Sequence, residues 1–212
     1  MKTLLERSRG STLDISIRGR VLTSTMALLS SHIKQIGCLN FVHSNWADVQ
    51  KFSEIDSGPL SLLHTLNIHV TEESDLGSSG AMTHPSLPHF SNATHLEEFS
   101  FYSATKRPPS INHFIFPNIV SFLFLAMASE GFYTSQLLNF LEASPMLKTI
   151  HLRIIADISL EGVLQGRVVV LPNVKTFNLC MTNGGPGYKL AAHVSCPSAR
   201  YTMLTQEDEC PG

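Results

Sequence analysis

The feature that most constrains this chain is a spacing that recurs along it: an apolar residue, two others, an apolar residue, one other, an apolar residue. It occupies Ile36, Leu39 and Phe41, then Leu63, Leu66 and Ile68, then Leu96, Phe99 and Phe101. It returns at Ile119, Phe122 and Phe124, at Leu147, Ile150 and Leu152, and at Val174, Phe177 and Leu179. A degraded last copy falls on Ala199, Thr202 and Leu204. Successive copies begin 27, 33, 23, 28, 27 and 25 residues apart. All but the second interval lie within the roughly 20–29-residue period of leucine-rich repeats.

The spacing has a physical meaning. Two apolar residues separated by one share a face of a strand, and the residue between them points to the opposite face. No single unit can bury that face alone, so neighbouring units must stack with their strands parallel. The long interval contains residues 71–88, rich in Ser, Gly, Glu and Pro, which read as an inserted loop.

The segments between strands carry helical signals. In 23–35, Met26, Leu29 and Ile33, continued by Ile36, form an apolar stripe, with Thr23 or Ser24 available as N-cap. Residues 135–143 carry Leu137, Leu138, Phe140 and Leu141, and Ser144-Pro145 stops the helix. Residues 46–55 are a third helical candidate. The later strands are preceded by one phrase: Phe116-Pro117-Asn118-Ile119, Ser144-Pro145-Met146-Leu147, Leu171-Pro172-Asn173-Val174 and Cys196-Pro197-Ser198-Ala199. Proline at that point blocks helix continuation and sets an extended lead-in.

The expected fold is therefore a single α/β domain over 1–212, a right-handed leucine-rich-repeat-like β-α solenoid. It has a parallel concave sheet and helices or irregular segments on the convex side. Strands are expected near 13–17, 38–43, 65–70, 98–102, 121–126, 149–154, 176–181 and 200–204.

Composition narrows the function classes. Charged residues make up 15% of the 212, with a net charge of -2, so a clustered basic footprint for nucleic acid is absent. The most apolar window, 114–128, is interrupted by Pro117 and Asn118 and is shorter than the roughly 20 residues a membrane span needs. Residues 1–20 have no apolar run of the secretory type. The four cysteines, Cys38, Cys180, Cys196 and Cys210, form no CxxC pair, and reduced thiols in an intracellular setting are the expectation. The sequon Asn92-Ala93-Thr94 is then of no consequence.

Several phrases together resemble the C-terminal, leucine-rich-repeat-like half of fungal F-box proteins of mushroom-forming fungi. They are Leu5-Glu6-Arg7-Ser8, Leu13-Asp14-Ile15-Ser16-Ile17, the run from Phe140-Leu141-Glu142-Ala143 to Ser144-Pro145-Met146-Leu147, Leu171-Pro172-Asn173-Val174, and Cys196-Pro197-Ser198-Ala199-Arg200. In that family the F-box docks on a Skp1-type adaptor of a ubiquitin ligase, and the repeats hold the substrate. The resemblance implies the substrate-recognition part. No Leu-Pro-x-Glu helix start stands near the N-terminus, so adaptor docking is expected only with an F-box upstream.

Chemistry-bearing patterns are weak. The ten histidines, His32, His43, His64, His69, His84, His89, His95, His113, His151 and His193, are scattered without HExxH. Gly184-Gly185-Pro186-Gly187-Tyr188-Lys189 lacks the phosphate-loop spacing and reads as a turn. Gly77-Ser78-Ser79-Gly80 is not a nucleophile elbow. Glu72-Glu73, Glu97-Glu98 and Glu207-Asp208-Glu209 read as solvated acids. No catalytic residue, cofactor or metal is implied.

The remaining candidate is the concave face, holding an unidentified protein partner, with no nucleic acid and no membrane. The residues expected there are Asn40, Asn67, His69, Ser100, Tyr102, Leu123, Leu125, His151, Arg153 and Asn178, flanked by Thr65, Glu98, Thr149 and Thr176. Two other readings stay open: a repeat protein without an F-box, serving as a scaffold or retaining no function, and a β-solenoid hydrolase.

Overall fold

The computed structural model describes residues 11–19, 22–53, 60–72, 90, 93–104, 111, 114–126, 132–155, 158–159, 166–181 and 187–205. In chain order, β1 is Leu13–Arg18, α1 Thr23–Ser30, a 3-10 turn Ile33–Gln35, β2 Ile36–Asn45, α2 Trp46–Ser53 and β3 Thr65–Glu72. Then come β4 Glu98–Ser103, β5 Ser121–Ala126, β6 Phe132–Tyr133, α3 Thr134–Glu142, β7 Thr149–Ile154 and β8 Ile158–Ser159. The chain continues with β9 Val169–Val170, β10 Thr176–Met181, α4 Gly187–Ala192, β11 Val194–Ser195 and β12 Arg200–Thr205.

The fold is α/β, built on one eight-stranded sheet in the order β1-β2-β3-β4-β5-β7-β10-β12. Every neighbouring pair in it is parallel. Two short parallel pairs, β6 with β8 and β9 with β11, lie in the returning segments.

The pairing aligns the apolar residues in rows. One row runs Ile15, Leu39, Leu66, Phe99, Phe122, Ile150, Phe177 and Tyr201. The next runs Ile17, Phe41, Ile68, Phe101, Phe124, Leu152 and Leu179. All but Tyr201 are buried. In the middle of the sheet the rows become phenylalanine stacks: Phe99 and Phe122 stack at 5.8 Å and Phe101 and Phe124 at 5.7 Å. Phe140 of α3 closes on Phe122 at 4.4 Å. Burying each such ring is worth about 1.5–3 kcal/mol, so this face carries the core.

Each returning segment re-enters the sheet through a tight turn closed by an i+3 amide-to-carbonyl bond. The amides of Leu63, Leu96, Ile119, Leu147, Val174 and Ala199 donate to the carbonyls of Leu60, Ala93, Phe116, Ser144, Leu171 and Cys196. Proline fills the second position in the last four, where its fixed φ suits the turn. Asparagine at the third position ties one turn to the previous one. Asn118 Nδ2 donates to Thr94 O at 2.6 Å, and Asn173 Nδ2 to Pro145 O at 3.0 Å.

Several expectations need correction. Residues 23–35 are two short pieces rather than one helix, and Thr23 is inside α1. The N-cap is Leu22, which makes no side-chain cap bond. The helix expected over 46–55 is present as α2 over Trp46–Ser53, and 54 and 55 lie outside the described residues. Thr71 and Glu72 extend β3 instead of opening the inserted loop; 73–88 lie outside the described residues. Gly187, Tyr188 and Lys189 begin α4 rather than completing a turn, because Leu190 is buried one helical turn on; 184–186 lie outside the described residues.

The last copy is out of phase by one residue. Tyr201 pairs with Phe177 and Met203 with Leu179, so these occupy the core phase in place of Thr202 and Leu204. The unit has one residue fewer between its turn and its strand. Phe177 follows Val174 by three, whereas Tyr201 follows Ala199 by two.

Candidate functional site: the open face of the sheet

The residues between the core positions form the sheet's other face, in three rows. The middle row runs Ser16, Asn40, Asn67, Ser100, Leu123, His151, Asn178 and Thr202 across all eight strands. Asn40 Nδ2 donates to Ser16 Oγ at 3.3 Å, and Asn67 Nδ2 to Asn40 Oδ1 at 2.5 Å. On the far side, Asn178 Nδ2 and His151 Nδ1 lie 2.8 Å apart, within hydrogen-bond distance. Between the two polar stretches stands Leu123, 45% exposed.

The lower row is Asp14, Cys38, Thr65, Glu98, Ser121, Thr149, Thr176 and Arg200. Thr65 Oγ1 donates to Glu98 Oε2 at 3.3 Å. The upper row contains His69, Tyr102, Leu125, Arg153 and Cys180 in direct register. The ring of Tyr102 stands edge-on to His69, with centroids 3.9 Å apart.

All ten candidate residues therefore lie on one face, in the middle row (Asn40, Asn67, Ser100, Leu123, His151, Asn178) or the upper row (His69, Tyr102, Leu125, Arg153). Most are half-buried because neighbouring strands crowd them; Leu123 is the exposed member.

His43, not among the residues expected on the concave face, joins them. The β2–β3 register skips between Phe41 and Ser44, so Val42 and His43 together oppose His69. His43 takes φ 50, the left-handed conformation of a bulge residue. The bulge keeps both Phe41 and Ser44 buried and leaves His43 exposed, with its ring 4.4 Å from that of His69. Burial, followed by the charge of His43, pulls the His69 pKa below the ordinary imidazole value. His69 Nε2 and Arg153 Nε are buried without a hydrogen-bond partner.

The thiols depart from the expectation. Cys38 and Cys196 are free, but Cys180, on the open face, is disulfide-bonded; Cys210 lies outside the described residues. Burial raises the thiol pKa of both free cysteines. Among the described residues, no three His, Cys, Asp or Glu side chains gather as a metal site, and no helix is long and apolar enough to cross a membrane.

No family model, curated protein or solved structure matches the chain.

Proposed function

We propose that this chain is a non-catalytic protein-interaction module whose open face holds a protein partner. In this reading the sheet is the concave wall of a right-handed, leucine-rich-repeat-like solenoid, and the chain is the substrate-recognition part of an F-box-type ubiquitin-ligase adaptor. The strictly sequential order of the parallel strands supports the solenoid. So does the strong right-handed preference of crossovers between parallel strands. A Skp1-type adaptor would engage an F-box, and no residue of this chain is assigned to that contact.

The observation that carries the binding role is the middle row. It brings residues as distant in sequence as Ser16 and Thr202 onto one line across the sheet. Amides, hydroxyls, an imidazole and one exposed leucine there offer directional hydrogen bonds around an apolar centre. Such a mixture suits protein recognition, with Tyr102 and Arg153 of the upper row as anchor types.

The test is quantitative affinity capture with the purified chain as bait, followed by mass spectrometry. Tyr102→Ala with Arg153→Ala should deplete a specific set of captured proteins, whereas Asn139→Ala, on an exposed position of α3, should leave that set intact. Equal recovery with all baits would remove the open face as the binding surface.

A further inference from the structure

We infer that the β7–β10–β12 end of the open face takes an acidic, Asp- and Glu-rich segment of the protein partner. This rests on the reading of the open face as a partner surface and adds the chemistry of what lies there.

The inference starts from the backbone ladder at the lower rim. Lys175 N donates to Lys148 O at 2.7 Å, and Arg200 N to Lys175 O at 2.9 Å. Lys148 and Lys175 thus stand side by side at the entries to β7 and β10, about 4.8 Å apart at the backbone, and Arg200 begins β12 one register position higher, opposite Thr176. All three side chains are exposed. The ion pairs among the described residues are Lys51 with Asp48 and Arg167 with Glu142, and neither involves these three cations. Like charges placed side by side repel, so Lys148 beside Lys175, with Arg200 one step away, is a cost in the free chain. A carboxylate laid across them converts repulsion into attraction.

The surroundings fit the same ligand. Thr149 and Thr176 pair directly above the rim on the open face and present hydroxyl donors. Arg153, higher on β7, has its Nε buried and without a hydrogen-bond partner. The acids on and beside the described face lie on the β1 side of β5: Asp14 on β1, and Glu97 and Glu98 at the start of β4. The uncharged β5 stands between these acids and the basic strands. A partner strand or loop would therefore be oriented, with its acidic part over β7–β12.

A nucleic acid fits less well. The cluster covers two inter-strand steps, about 10 Å, which is shorter than the basic track that a nucleic-acid backbone needs.

The experiment is fluorescence anisotropy on the full chain with three labelled probes: a short Asp/Glu-Ser peptide, a Lys-Ser peptide of equal length, and a single-stranded oligonucleotide of matched charge. The acidic peptide should bind best, and its affinity should fall with added KCl. The triple variant Lys148→Glu, Lys175→Glu, Arg200→Glu should weaken it at least about tenfold. Lys175→Gln alone should weaken it less. Because Lys175 is exposed, this milder variant controls for misfolding through an unchanged thermal melt. Absence of acidic-peptide binding, equal binding by the triple variant, or tighter binding of the oligonucleotide would each overturn the inference. If the acidic peptide fails while Tyr102 and Arg153 still control partner capture, only this inference falls and the open-face reading stands.

Discussion

The rings of His43 and His69 lie 4.4 Å apart, tilted by 46°, across the bulge that interrupts the β2–β3 register. Two imidazoles at that distance cannot both be charged without repulsion, and Tyr102 closes the other side of His69 at 3.9 Å. The folded chain therefore holds His69 neutral to a lower pH than the unfolded chain does, chiefly through burial and then through His43. Below the ordinary value of 6.5 the unfolded state takes up a proton that the folded state refuses. Stability is expected to be fullest above that pH, to fall as the pH drops from 6.5 towards the lowered His69 value, and to level off below it. Thermal melts of wild type and His69→Gln across this range test it. A wild-type melting temperature that falls no more steeply than the variant's would contradict the assignment.

The same bulge gives a backbone prediction. His43 sits at φ 50, where a Cβ is costly and a β-branched side chain costlier still. His43→Val is expected to destabilise by about 1–2 kcal/mol. His43→Gly should restore most of that loss, since glycine adopts the conformation freely. Chemical denaturation of the two variants separates strain from the loss of the imidazole, which both share. Equal stabilities would mean that the left-handed conformation carries no penalty at this site.

How much of this was legible in the sequence depends on which residue is asked. The faces of Leu39 and Phe41, or of Phe122 and Phe124, follow from alternation alone, because slipping one residue would move the core to the other side. The last unit escaped because its turn-to-strand spacer is one residue shorter, and fixing the spacing hid the alternative pair Tyr201 and Met203. A reader willing to vary the spacer could have found it, since an aromatic and a methionine alternate there. The bulge at His43 left no such trace: no glycine or asparagine marks the left-handed position. For Cys180, pairing is a tertiary property that spacing cannot reveal.

The cysteines divide into two chemical classes. Cys38 is half-buried and Cys196 buried, and burial raises both thiol pKa values, which lowers the reactive thiolate fraction at neutral pH. Cys180 is held in a disulfide. Native alkylation of Cys38 and Cys196 is expected to be slow and to become fast in denaturant, whereas Cys180 should resist until a reductant is added. Peptide mapping after each step reads this directly. Labelling of Cys180 in denaturant without reductant would show that it is not disulfide-bonded.

Phe122 and Leu123 are neighbours in β5 but belong to opposite faces, and they make the sharpest test of the two-faced sheet. Phe122 is fully buried, stacks on Phe99 and meets Phe140 of α3 at 4.4 Å. Leu123 is 45% exposed in the middle row between Ser100 and His151. Removing the Phe122 ring leaves a cavity lined by other rings, and Phe122→Ala is expected to cost about 3–5 kcal/mol. Leu123→Ser removes a side chain that water already reaches, so its effect on stability should stay within about 0.5 kcal/mol. If the open face binds a protein partner, the ranking reverses for capture: Leu123→Ser should lower recovery in a chain that remains folded. Denaturant titration and quantitative capture on the same two variants give the comparison. Comparable stability losses for the two would mean that β5 is buried on both sides and that its open face is not available to a partner.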